Sequence, residues 1–308
     1  MRHARVAALA GALCIAFSGI FFRLSGVTPE TGTVFRCLYA LPILAIFALA
    51  ERRRDGPAGR SAHLVGVAAG VFFAADLLTW HHAIVEVGAG LATVLANMQV
   101  VVVALVAWVV LSERPSRGVA AAIPIMLAGV VLISGVVGGG AYGADPRLGV
   151  VFGTVAALSY AGYLLLVRHG NREGLRAATL LFDASATTAA VAALVGTVTG
   201  AFDPVPSWPA HGWLVLVALT SQVAGYLLIS FSLPRLPAAL TSVILLAQPI
   251  TTVVVGGLVL GEAPSVFQLG GVGLILAGLA VANIGRGARP RARRTGIPET
   301  EGVVSSGG

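Results

Sequence analysis

The sequence predicts an all-α integral membrane protein: ten transmembrane helices arranged as two inverted five-helix repeats. Three observations carry that reading. Of 308 residues, 57% are hydrophobic and 11% charged, with a mean hydropathy of +0.91, too little charge to cover a soluble domain of this size. The apolar runs are long and lack period-two alternation, and only helices or closed barrels satisfy every backbone group inside lipid. The chain also matches itself at a nearly fixed offset.

Ten spans of about 20 residues fit the length and leave only short loops. They read as 4–24, 31–50, 62–85, 88–111, 117–138, 148–168, 177–200, 211–233, 237–260 and 266–285. Proline and charge mark the breaks at Thr28-Pro29-Glu30, Glu51 to Arg60, Glu113 to Ser116, Asp145-Pro146, Asp203-Pro204, Leu236-Pro237 and Glu262-Ala263-Pro264. Proline removes an amide donor and charge resists lipid. Residues 1–140 form the first repeat, 141–285 the second, and 286–308 a basic cytoplasmic tail whose polar, Pro/Gly-rich composition predicts disorder. Met1 to Gly19 has the basic start and apolar core of a secretory leader, but it reads as the first helix because many further spans follow.

A formal charge of +7 raises nucleic acid as a partner, and the distribution of charge argues against it. There is no lysine, and with the N-terminus in the cytoplasm seventeen arginines fall on cytoplasmic segments against Arg147 alone outside. That asymmetry predicts both termini inside and an even number of spans; the expected location is a bacterial-type inner membrane. The partners are then the lipid bilayer and a small solute. Cys14 and Cys37 lie within apolar runs and offer neither a disulfide framework nor metal spacing, so no cofactor or metal is expected.

Offset by 149, residues 89–129 align with 238–278, with 13 of 41 positions identical. The rarer matches matter most: Gln99 with Gln248, Glu113 with Glu262, Pro115 with Pro264 and Ser116 with Ser265. An offset of 145 pairs Arg23 with Arg168. Five spans per half is an odd number, so the second half enters from the opposite side. That is a common plan of secondary transporters, which place solute near the midplane between halves.

These residues resemble the drug/metabolite transporter superfamily, EamA type. The resemblance rests on the two five-span repeats over residues 4–285, on Phe35-Arg36, and on the paired segments Leu111 to Ser116 and Leu260 to Ser265. It rests also on Gln248-Pro249, where Val100 replaces the proline in the first repeat. It implies export or exchange of amino acids, metabolites or drugs, driven by an ion or solute gradient without ATP. No GxxxxGK[ST] motif is present.

Two charges sit inside spans. Arg36 lies roughly 8 Å and Asp76 on the order of 13 Å deep at helical rise, which predicts either an ion pair or a solute and proton site. Asp76 aligns with Gly225 and so has no acidic counterpart. Phe72, Phe73, Asp76, Thr79, Trp80 and Ala83 share a face by helical spacing, where Trp80 and Phe72 could hold an organic cation or simply pack. Gln99 and Gln248 fall at mid-span, with Thr252 one turn beyond Gln248 and Asn97 about 200° round from Gln99. The amides either glue helices or touch solute. Pro249 is expected to bend span nine as a gate element, and Asp183 to serve as an inner gate. His81 and His82 read as a wet rim, and Glu113 and Glu262 as caps of the helices that follow them.

Three other functions compete. An intramembrane enzyme needs convergent catalytic groups, yet neither HExxH nor G-x-S-x-G occurs. A channel favours rings of like polar residues. A non-transporting anchor needs no polar pair at the midplane.

Overall fold

The computed structural model describes residues 2–172, 176–232, 235, 236, 240 and 244–284. The described residues are helical with no strand. The helices are α1 (Arg2–Ser25), α2 (Pro29–Asp55), α3 (Arg60–Val87), α4 (Ala89–Ala96), α5 (Gln99–Leu111) and α6 (Arg117–Ile133), then α7 (Pro146–Arg172), α8 (Ala177–Thr199), α9 (Ala210–Val217), α10 (Tyr226–Ser232), α11 (Ala247–Leu260) and α12 (Val266–Ile284). A π-helical stretch, Ala218–Gly225, joins α9 to α10 in one rod. Seven helical segments are long and apolar enough to cross a membrane, while Arg117–Ile133, Ala247–Leu260 and Val266–Ala282 are apolar but shorter. The expected tail and the break at Pro237 lie outside the described residues.

Local chemistry sets the helix ends. Thr28 caps α2, its hydroxyl accepting from the Thr31 amide at 3.2 Å, and Pro29 follows where its missing amide costs nothing. Gly88, at φ 87°, turns α3 into α4 within one residue. The repeats end their fourth helices identically. Ser112 and Gly261 are left-handed (φ 56° and 67°), and the amides of Glu113 and Glu262 each reach back to a carbonyl, Ala107 and Gly256, at 3.2 Å.

The packing keeps the same pattern when the repeats are exchanged. α2 packs on α8 and α6 on α12, while α3 packs along α7 as the Ala210–Ser232 rod packs along α1. This is a pseudo-twofold relation. Small residues make the close crossings: Gly70 meets Ala184 and Thr187 of α8, and Gly149 and Gly153 of α7 meet Val87 and Leu95. Gly200 serves differently, as the left-handed cap of α8 (φ 72°). Outward faces carry large apolar residues, among them Val109, Leu258 and Val266, each at least 80% exposed, a surface suited to hydrocarbon.

The fourth helix of the first repeat is not continuous. α4 stops at Ala96, Asn97 and Met98 form a turn, and α5 begins at Gln99. In the second repeat the chain turns at Leu246 before α11, the matching register. Pro249 therefore occupies the first turn of α11, where no intrahelical donor is missed, and does not bend the middle of a continuous helix.

Candidate functional site

A cavity of about 320 Å³ lies between the repeats. Consecutive helices α2 and α3 bring Arg36, Phe73, Asp76 and Trp80 to it, and the α4–α5 break brings Thr93, Asn97 and Gln99. The second repeat contributes Tyr160 from α7, Tyr226 from α10 and Gln248 from α11.

Arg36 is buried and held across the repeat boundary. Its Nε donates to Gln222 Oε1 at 3.2 Å and its Nη2 to Ser221 Oγ at 2.9 Å. Gln222 is fixed in turn by donating to Ser185 Oγ at 3.3 Å. The guanidinium carbon lies 5.7 Å from the centroid of the Trp80 ring, within cation–π range. Ser221 and Gln222 belong to the π-helical stretch, a distortion that concentrates at functional sites.

Of the two alternatives for Arg36 and Asp76, the direct ion pair does not form. Two of the arginine's three nitrogens are engaged by Ser221 and Gln222, and no salt bridge joins it to Asp76 among the described residues. Asp76 is 7% exposed, and its side chain lines the cavity without a hydrogen bond or ion pair. Arg36 Nη1, Thr93 Oγ and Gln99 Oε1 are likewise buried without a protein partner. Each such atom costs about 1–3 kcal/mol when left unsatisfied.

Other expectations land elsewhere. Phe72 is 44% exposed and packs beside Gly162, away from the cavity; Phe73 takes the place expected of it. Thr79 turns its hydroxyl to the Ala75 carbonyl at 2.6 Å. Thr252 is fully buried and donates to the carbonyls of Ala16 and Gln248, each at 3.0 Å, so it ties α11 to α1 rather than lining the cavity. Asn97 shares the cavity with Gln99 because the helix break cancels the angle a continuous helix would impose. Asp183 accepts from or pairs with His63 at 2.6 Å in a separate cavity of about 380 Å³, lined also by Ala45, Arg52 and Phe182. His81 is no rim residue: it is fully buried, 2.8 Å from Thr33 Oγ, its ring stacked 3.9 Å from Phe22.

The two glutamates do not cap the helices that follow them. Ser116 caps α6, and Ser265 with Gln268 forms a reciprocal capping box on α12. Glu262 instead accepts from the amides of Ala89 and Gly90, at 2.5 and 3.0 Å, at the start of α4. Burial pushes its carboxyl above the usual carboxylate range, and those two amides oppose the shift. Glu113 takes both arms of Arg168 at 3.0–3.1 Å.

The EamA-like transporter family matches residues 4–135 and 147–284, nearly all of both halves. The chain belongs to that family. It is also 28% identical over 154 residues to the "Uncharacterized transporter YcbK" of Bacillus subtilis (strain 168). That match spans 46% of this chain and about half the length of the relative, 48%. A solved crystal structure 19% identical superposes with a TM-score of 0.60, covering 92% of this chain and 97% of the other, and shares the fold.

The EamA-like repeats thus enclose a cavity whose walls are mixed. The amino-terminal ends of α5 and α11 abut the cavity through Gln99 and Gln248, and such ends favour negative charge. Arg36 adds to that, while Asp76 offers the opposite charge. Ser221, Gln222, Thr93, Tyr160 and Tyr226 also reach Arg36 or the cavity without having been expected there. A signal existed for the first two: Thr220-Ser221-Gln222 is a run of three polar residues in the middle of a mainly apolar rod.

Proposed function

We propose that this chain is a secondary-active transporter with ten spans in two inverted repeats, exporting or exchanging a small organic solute. The carrying observation is the cavity in which Arg36 Nη1, Thr93 Oγ1 and Gln99 Oε1 are buried unpartnered while Asp76 shares it without a hydrogen bond or salt bridge to its side chain. Buried polar atoms left open are costly unless a guest completes them. The guest that fits carries an acidic group for Arg36 and a cationic one for Asp76, with its apolar part against Phe73, Leu77 and Trp80. Amino acids and zwitterionic metabolites or drugs have that character.

Asp76 is the coupling residue in this reading. A carboxylate without a fixed partner can exchange protons as the cavity opens to either side, which ties solute movement to a proton gradient. Gln99 and Gln248 line the cavity at equivalent positions of the two repeats, and the two halves trade conformations around them. Both termini lie in the cytoplasm, as the arginine distribution supports, and the protein resides in the cell inner membrane.

The test is uptake into proteoliposomes of amino acids, purines, sugars and cationic dyes, with and without a pH gradient. Zwitterions are expected to move and to lose transport on Arg36→Ala. Uptake confined to neutral sugars, unaffected by Arg36→Ala, would overturn the assignment.

A further inference from the structure

Glu262 and Glu113 occupy equivalent positions in the two repeats, yet each holds a different kind of partner. Glu262 crosses from the second repeat to the first and accepts from two amides at the start of α4. Its seat is made by glycines: a Cβ on Gly88 would lie 2.7 Å from the Glu262 carboxyl and one on Gly256 2.5 Å from Oε2. The residue is 6% exposed. Glu113, at the other end of the pseudo-twofold, grips Arg168. Arg168 corresponds to Arg23. Arg23 is exposed, acts electrostatically on Glu262, and makes no ion pair among the described residues.

Two equivalent ends in two different arrangements are what alternating halves present at one moment of their cycle. Packing agrees. At the Glu262 end, α4 is buried from Ala89 to Leu95, whereas most of α5 is only partly covered. We propose that Glu262 is a latch that shuts the outer end of the path by gripping the α4 amino terminus, and that it releases by exchanging those amides for Arg23. The Glu113–Arg168 pair displays the geometry of the released arrangement at the opposite end. This inference rests on the transport reading for its purpose, although the latch itself is read out without any solute.

The test uses the full chain with Cys14 and Cys37 replaced by serine and one reporter, Ala96→Cys, in the cavity wall. An impermeant thiol reagent is added to sealed vesicles from the face on which a cysteine at Asp145 reacts. Glu262→Ala, which removes both charge-assisted hydrogen bonds to α4, is expected to raise the reporter's labelling rate by roughly tenfold or more, and Arg23→Ala to lower it. Glu262→Gln keeps one amide acceptor and the shape, so it gives an intermediate rate and covers the case in which the alanine variant fails to insert. Labelling from that face that is unchanged in Glu262→Gln and in Arg23→Ala overturns the latch. If the rates shift as expected while no solute in the uptake panel moves, the latch stands and the transport reading falls.

Discussion

Arg36 and Asp76 reach one cavity from consecutive helices, yet the guanidinium bonds to Ser221 and Gln222 of the other repeat and leaves the carboxylate open. The opposite charges therefore share a space without neutralising each other by contact. A closed pair would have been a structural rivet. Held apart, they are the two ends of the proposed site, and the repeat boundary runs between Arg36 and the residues that position it.

Asp76→Asn keeps the shape and hydrogen-bonding capacity and removes the exchangeable charge. Gradient-driven uptake is expected to be lost while solute-for-solute exchange and membrane insertion persist. Normal uptake by this variant under a proton gradient would show that the carboxylate has no coupling role. Counterflow in proteoliposomes with and without a pH gradient separates the two activities.

Gln222→Ala removes one of the two anchors of Arg36 from a buried position. A hydrogen bond to a charged group is worth about 1.5–3 kcal/mol, so the KM for solute is expected to rise by roughly one to two powers of ten. The number of inserted molecules, measured by surface labelling, is expected to stay the same. An unchanged KM would mean that Arg36 is positioned without Gln222.

Gly70→Val tests the α3–α8 crossing. A Cβ there would lie 2.5 Å from the Thr187 side chain and 2.7 Å from the Ala184 carbonyl, and Thr188 already donates to the Gly70 carbonyl at 3.0 Å. Overpacking of this kind costs about 1–3 kcal/mol. The variant is expected to unfold at lower temperature in detergent, whereas Gly273→Ala, whose added Cβ meets nothing within 4 Å, is not.

Topology has its own check. A cysteine in the Glu51 to Arg60 loop is expected to resist an impermeant thiol reagent on intact cells, and one at Asp145 to react. The reverse pattern would invert the whole assignment, including which end the Glu262 latch closes.

The amino-acid sequence alone determined the membrane character and the two repeats, and it singled out Arg36, Asp76, Trp80 and Gln99 among the residues of the cavity wall. Composition and the spacing of Gln, Glu and Pro survive without coordinates, because hydrophobic run length and duplication are one-dimensional properties. The sequence could not decide which polar groups meet. Arg36 lies 185 and 186 residues from Ser221 and Gln222, and the turn at Asn97-Met98 breaks the helical phase from which facing residues are inferred. Phe72 and Phe73 are adjacent in sequence and differ by about 100° on a helix, so one faces outward and the other the cavity only once α7 is in place. Glu262 holding α4, rather than its own following helix, was likewise settled by the docking of one repeat on the other. Such contacts depend on where rigid helices cross, which no local preference encodes.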